Sequence, residues 1–304
     1  MARKTTSIHH LNADRGLSTL QKVLCFSLNW INNLFPYAHV DRGLEIRNFV
    51  CEDLDTHWPQ LHVKSSPGRR LSDLFWMTLP WQAIKAELGA IHVLDTGCGS
   101  GNYGLRLADW SHDLLASYTG IDVYAQDNWA ELERQHANFR LLQRNVYDFL
   151  QSIPDGTNFL MSQSAVEHFD QDLLYFEQIK DYVCTCKNNV IQVHLFPARA
   201  CLTLYGLHGV RQYTPRTVSQ ISRLFKGFSY TVLFGLGGQA CNRLHYKFVT
   251  KPMRRGIGDL RDLRPQEYDR RSLTAVVQDM QCPPKSPTFY ALVIHSNWQK
   301  KIFL

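Results

Sequence analysis

The stretch from Ile91 to Gly104, IHVLDTGCGSGNYG, constrains this chain more than any other part of it. An apolar run, Ile91 to Leu94, ends in an acid, Asp95. Glycines then alternate at 97, 99 and 101, and a helical pattern begins near Tyr103. Glycine adopts positive φ without a steric cost and lets a backbone approach a ligand closely. The first turn of the following helix presents unpaired N–H groups and the positive end of its dipole. A strand that runs through such a turn into a helix opens a βαβ unit, and sheets built of these units bind ligands at the carboxyl ends of their strands.

The downstream pattern agrees. Short β-like runs at 91–94, 118–123, 139–142, 158–162 and 190–193 alternate with helical stretches such as 103–110 and 173–183. This alternation predicts an α/β fold, a mostly parallel sheet with helices on both faces. Two later runs, 230–234 and 288–295, bring the strands to seven. No long crossover helix is evident between them, only a charged, Pro-bearing insertion at about 241–286, so an antiparallel pairing is expected there. Residues 1–88 read as an N-terminal helical cap ahead of a main domain over 89–304. Leu17, Leu20, Leu24, Leu28, Ile31 and Leu34 recur at helical spacing, and the face they form is expected to pack on that domain. A lid over the site and an interfacial membrane helix are the alternatives. A second helical stretch runs from Leu71 to Leu88.

With 304 residues and 44% hydrophobic composition, the chain can bury a large core. Its net charge of +6 is a mild bias without a long basic run; the densest charged stretch, 251–271, holds seven Lys/Arg against four Asp/Glu. Nucleic acid is therefore not the favoured partner. The eight cysteines form no CxxC pair, and Cys184 and Cys186 lack companions for a zinc site, so no metal is expected. The opening residues do not lead into a signal-peptide core, and Gln21, Lys22, Asn29, Asn32 and Asn33 interrupt the apolar stretch 17–35. The expectation is a cytoplasmic protein with no transmembrane segment; its oligomeric state is left open.

Two ligand classes compete for the glycine turn. Gly99, Gly101 and Gly104 match the dinucleotide spacing GxGxxG, a weak signal alone. Asp95 argues against a diphosphate, because a carboxylate at the strand end repels it. S-adenosylmethionine (SAM) carries an ammonium and a sulfonium and no phosphate, so an acid there helps. Asp122 closes the next strand, about 20 residues on, where a carboxylate can accept from both ribose hydroxyls.

In these residues the chain resembles the class I SAM-dependent methyltransferases, in particular the ubiquinone-biosynthesis-like, or methyltransferase type 11, group. VLDTGCGSG resembles the family's first motif, GIDV its acidic second motif, and FLMSQSAVEHF its fourth-strand signature; the three occur in order over roughly residues 90–200. The resemblance implies a Rossmann-like fold and SAM as cofactor. It implies that Asp95, Gly97, Cys98, Gly99 and Gly101 hold the methionine part, that Asp122 holds the ribose with Val123 beside the adenine, and that Ser162 and Gln163 line the methionine side. The family's adenine-contacting acid is matched by Asn145, next to Val146, with Asp148 as the alternative contact.

Methyl transfer to a hydroxyl needs an aligned acceptor and a proton acceptor. His168, His194 and His208 follow the fourth and fifth strands and are candidates for that base. Each also has a plain structural reading, as a turn or core histidine. Arg211 and Tyr213, beside His208, would suit a polar acceptor, and the Pro197–Arg216 segment faintly resembles methyltransferases associated with surface polysaccharides. The favoured acceptor is a small molecule or glycan, methylated at oxygen. An RNA or protein methyltransferase, a non-catalytic SAM-binding protein and a nicotinamide-dependent oxidoreductase are the rivals. The glycine turn itself is expected to fail on Gly99→Val, by steric blocking.

Overall fold

The computed structural model describes residues 4–35, 39–282 and 286–303. Eight strands form one sheet: β1 (Leu44–Asn48), β2 (Ile91–Thr96), β3 (Leu115–Asp122), β4 (Phe139–Gln143), β5 (Phe159–Gln163), β6 (Val190–Pro197), β7 (Ser229–Leu236) and β8 (Phe289–Ser296). Their order across the sheet is β1-β7-β8-β6-β5-β2-β3-β4. All neighbours are parallel except β8, which runs antiparallel to both β6 and β7. The chain leaves β2 toward β3 and β4 on one side and returns to β5 and β6 on the other. The crevice at the carboxyl end of β2 is thus a topological switch point.

Alternation along the strands builds a core on each face. Val93, Val193, Val232 and Val293 point into one layer, covered by α2 (Pro67–Met77), α3 (Trp81–Leu88), α4 (Asn102–Trp110), α5 (Trp129–Gln135), α8 (Gln239–His245) and α9 (Pro265–Gln281). Leu94, Leu160, Leu233 and Leu292 point the other way, onto α6 (Asp172–Cys186) and α7 (Pro215–Leu224). This is the expected α/β, Rossmann-like architecture with helices on both faces.

Four expectations are corrected. The sheet has eight strands rather than seven, because Leu44–Asn48, within the segment read as a helical cap, pairs with β7 as an edge strand. The stretch 71–88 is two helices, broken at Pro80, whose ring and missing N–H end a helical run. The insertion between β7 and β8 contains a 17-residue helix, α9, although the two strands still pair antiparallel. The fourth concerns the first helix, α1 (Thr19–Leu34), which packs with the opposite face to the one its leucines suggested. Leu20, Leu24 and Ile31 are exposed, while Asn29, Asn32 and Asn33 are buried. Asn29 donates to the Val210 carbonyl at 3.3 Å, and Asn33 donates to Gln212 Oε1 at 3.1 Å. Asn29 and Asn33 thus find partners on the body, whereas both amide atoms of Asn32 are buried without one among the described residues. Among the described residues no helix is long and apolar enough to cross a membrane.

Candidate active site

At the carboxyl ends of β2, β3 and β5 lies a cavity of about 430 Å³. Its wall includes Gly97, Asp122, Val123, Asn145 and Val146, all expected there from the sequence, together with Ser164, His168 and Phe169. Gly97 has φ +75°, and a Cβ on it would stand 2.4 Å from the Ala165 Cβ, so only glycine fits this floor. Asp122 ties the turn together: its Oδ2 accepts from the Gly99 N–H at 2.9 Å and its Oδ1 from the Tyr124 N–H at 3.1 Å. Each oxygen keeps a further lone pair for a ligand.

Asp95 lies one layer beneath this wall. It is 1% exposed, takes the Tyr118 hydroxyl on Oδ2 at 2.7 Å, and its Oδ1 has no hydrogen-bond partner among the described residues. Burial, opposed by the Tyr118 bond and helped by the Asp122 charge, pushes its pKa up to about 7. Cys98, Gly99 and Gly101 also stand back from the cavity. The Cys98 sulfur packs against the space above Gly120, and Gly101 backs onto Leu132 and Leu141. Ser162 is fully buried and bonded to His194, and Gln163 accepts from the Trp76 indole N–H at 2.8 Å.

A second cavity, of about 240 Å³, adjoins the first, and Ser164 and His168 stand on the walls of both. Ser164 holds φ 54°, a left-handed conformation uncommon for a non-glycine residue. The second cavity is also walled by Arg69, Gln163, Glu167, Tyr205 and His208. Glu167 is buried, and its Oε2 has no hydrogen-bond partner among the described residues. Burial pushes its pKa up to about 7, against the favourable charges of His168, Arg69 and Arg211. A third cavity, of about 480 Å³, continues outward past Tyr205 and His208.

The three histidines separate. His168 stands between the first two cavities with Nδ1 2.8 Å from Asp14 Oδ2. His208 is exposed on the second and third. His194 is a core residue: it is fully buried, its Nδ1 lies 2.8 Å from Ser162 Oγ, and burial lowers its pKa to about 3. His194→Ala is expected to cost about 2–4 kcal/mol of stability by opening a cavity and orphaning the Ser162 hydroxyl, which a denaturant melt would register. Cofactor affinity of the folded variant should stay unchanged.

Arg211 and Tyr213 likewise turn inward, onto Asp172. That carboxylate pairs with Arg211 at 3.1 Å, accepts from Tyr213 Oη at 3.0 Å and from the Thr6 backbone N–H at 2.9 Å. Arg211 and Tyr213 therefore anchor the N-terminal segment rather than line the second cavity. That segment crosses the first cavity, with Asn12, Asp14 and Arg15 on its wall. Asn12 donates to the His168 carbonyl at 2.6 Å, and Arg15 pairs with Asp170. Nothing in the sequence of residues 4–18 signalled this strap. Glu167 was visible only as half of a Glu-His pair, because residue type does not reveal burial. Among the described residues no group of three or more His, Cys, Asp or Glu could hold a metal ion.

No protein-family model matches the chain, and no curated protein sequence matches it. Several solved structures are similar to it. The plantazolicin methyltransferase BamL, crystallised with a triazolic desmethylPZN analog and SAH, is 14% identical, with 80% of this chain and 94% of that one covered and a TM-score of 0.43. A SAM-dependent methyltransferase from Archaeoglobus fulgidus is 19% identical, with 77% and 96% covered and a TM-score of 0.41. WbdD is 14% identical, with 83% of this chain and 45% of that one covered and a TM-score of 0.41. These are distant likenesses, and no residue role is carried over from them.

Proposed function

We infer that the chain is a SAM-dependent methyltransferase that transfers a methyl group to a hydroxyl of a small-molecule or glycan-like acceptor. The observation that supports this most is the pair of adjoining cavities. One is floored by Gly97 and rimmed by the Asp122 carboxylate; the other contains a buried Glu167 whose Oε2 has no partner among the described residues; Ser164 and His168 divide them.

The residues present fit the cofactor. Asp122 has lone pairs free for two ribose hydroxyls, Val123 and Val146 offer apolar flanks for an adenine, and Asn145 on the same wall would offer its amide oxygen to a ring amino group. Gly97 keeps the floor open, and Asp95, whose Oδ1 has no partner among the described residues, would hold its charge more readily beside an ammonium than beside a diphosphate. SAM bound there supplies an electrophilic methyl together with its own leaving group.

The chain's part is then positioning and proton transfer. Glu167 receives the acceptor hydroxyl proton on its carboxylate, and with a pKa near 7 it is poised for this at neutral pH. His168, oriented by Asp14, and Ser164 hold the partition between the cavities. The strap through Asn12 and Arg15 excludes water from the cofactor side.

Titration calorimetry tests the cofactor reading. S-adenosylhomocysteine is expected to give heat and a nicotinamide dinucleotide none; the reverse result rejects it. Asp122→Ala removes the ribose acceptor and the Gly99 anchor together, and is expected to weaken S-adenosylhomocysteine binding by at least about tenfold, since a single hydrogen bond to a charged group contributes about 1.5–3 kcal/mol. Unchanged affinity would remove the ribose role.

A further inference from the structure

On the far side of the same sheet edge, where β1, β6 and β7 end, lies a larger cleft of about 850 Å³. Four arginines stand on its wall: Arg47, Arg199, Arg216 and Arg243. Arg47 is paired with Glu45. Arg199, Arg216 and Arg243 are exposed and have no carboxylate partner among the described residues. Among the described residues no aspartate or glutamate lines the cleft. The ten-residue helix α7 also starts there, at Pro215, and adds the positive end of its dipole.

Single exposed arginines are ordinary and well solvated. Three unpaired ones around one concavity are different, because low-dielectric walls concentrate their field and leave it uncompensated. A guanidinium presents a planar fork that matches phosphate oxygens two at a time. We propose that this cleft is a binding site for a small molecule bearing a phosphate or diphosphate group, held by Arg199, Arg216 and Arg243. A single-stranded nucleic acid is the weaker fit, since such strands need free aromatic faces for stacking. Tyr290, on this wall, is 7% exposed.

The cleft shares Leu204 with the outermost of the three cavities that lead from the partition. If the methyltransferase reading holds, and this step rests on it, the cleft receives the anionic end of the acceptor while the hydroxyl reaches Glu167. Binding of the anion itself does not depend on that reading.

The test is calorimetry of the full chain with inorganic pyrophosphate at low ionic strength. The triple variant R199A/R216A/R243A is compared with R134A/R140A/K226A, which removes the same charge from exposed positions elsewhere. Circular dichroism melts and S-adenosylhomocysteine binding confirm that both variants fold. Pyrophosphate is expected to bind the wild-type chain, at least about tenfold more weakly to the cleft variant, and within twofold of wild type to the control. Equal weakening in both variants, or no pyrophosphate binding by the wild type, overturns the proposal. So does an oligonucleotide that requires the three arginines and is not displaced by pyrophosphate. A wild-type chain that binds S-adenosylhomocysteine and not pyrophosphate removes only the cleft; a wild-type chain that binds pyrophosphate and not S-adenosylhomocysteine removes only the methyltransferase reading.

Discussion

Gly97→Ala should reduce S-adenosylhomocysteine affinity by about thirtyfold or more. The added Cβ would stand 2.4 Å from the Ala165 Cβ, and the backbone there has φ +75°. The left-handed conformation costs an L-residue about 1–2 kcal/mol, and overpacking a tight site costs about 1–3 kcal/mol more. Either the turn moves, taking the cavity floor with it, or Ala165 moves, taking the β5 turn with Ser164. Ala165→Gly in the same chain relieves the steric part alone, so it should recover a portion of the affinity but not all of it. A single Gly97→Ala variant that binds within threefold of wild type would show that the floor is not where the ligand sits. Gly99 makes a contrast, because among the described residues no atom beyond its chain neighbours lies within 4 Å of its hypothetical Cβ and its φ is +53°. The protein itself opposes Gly99→Val through backbone strain, and the blocking of a ligand by that side chain stays an expectation that S-adenosylhomocysteine binding checks.

Glu167→Gln is the second large effect. It keeps the shape of the side chain and removes its capacity to take a proton. Turnover should fall by about 10²- to 10⁴-fold, the usual range for a general base, while S-adenosylhomocysteine affinity stays within twofold. The pH dependence gives the sharper reading. With the carboxyl near 7, the wild-type rate climbs between about pH 6 and 8 as the base loses its proton, and this limb should vanish in the variant. Stability carries the matching sign. The folded pKa lies above the ordinary 4.5, so between these values the folded state binds more protons than the unfolded one. Stability therefore declines as pH rises across that window. Glu167→Gln removes this contribution, so the variant's melting temperature should exceed that of wild type above pH 7. A wild-type limb retained in the Gln variant would place the proton acceptor at another residue.

The parts of the molecule legible in its sequence are those governed by short-range rules. The glycine turn, the five strands around it and α4 and α6 each follow from a local pattern of apolar spacing. Strand β1 did not show, because Leu44 and Ile46 are too short an alternation to stand out. Helix α9 was hidden behind Pro265 and a run of charges, although proline is well placed in a first helical turn. The inversion of α1 was illegible for a different reason: its asparagine partners, Val210 and Gln212, lie about 180 residues away in the chain. The same limit governs the site. Gly97, Asp122, Val123, Asn145 and Val146 stand on the cavity wall, as motif position suggested. Asp95, Cys98, Gly99, Gly101, Ser162 and Gln163 support or flank it from behind. For the proton acceptor, histidine was favoured on intrinsic pKa, whereas burial moved a glutamate into the same range and moved His194 out of it.

The antiparallel β8 has a further consequence, for the order in which the molecule can be completed. Residues 289–296 hydrogen-bond to β6 along one edge and to β7 along the other, and the described strands provide no other bridge between those two. Without that segment the hydrogen-bonded ladder divides into a five-strand slab and a two-strand ribbon. The cavity floored by Gly97 belongs to the slab and needs only strands that are already neighbours. The arginine-walled cleft straddles the seam, from Ala198 on one bank to Gly235 on the other, and comes into being only when the keystone is seated.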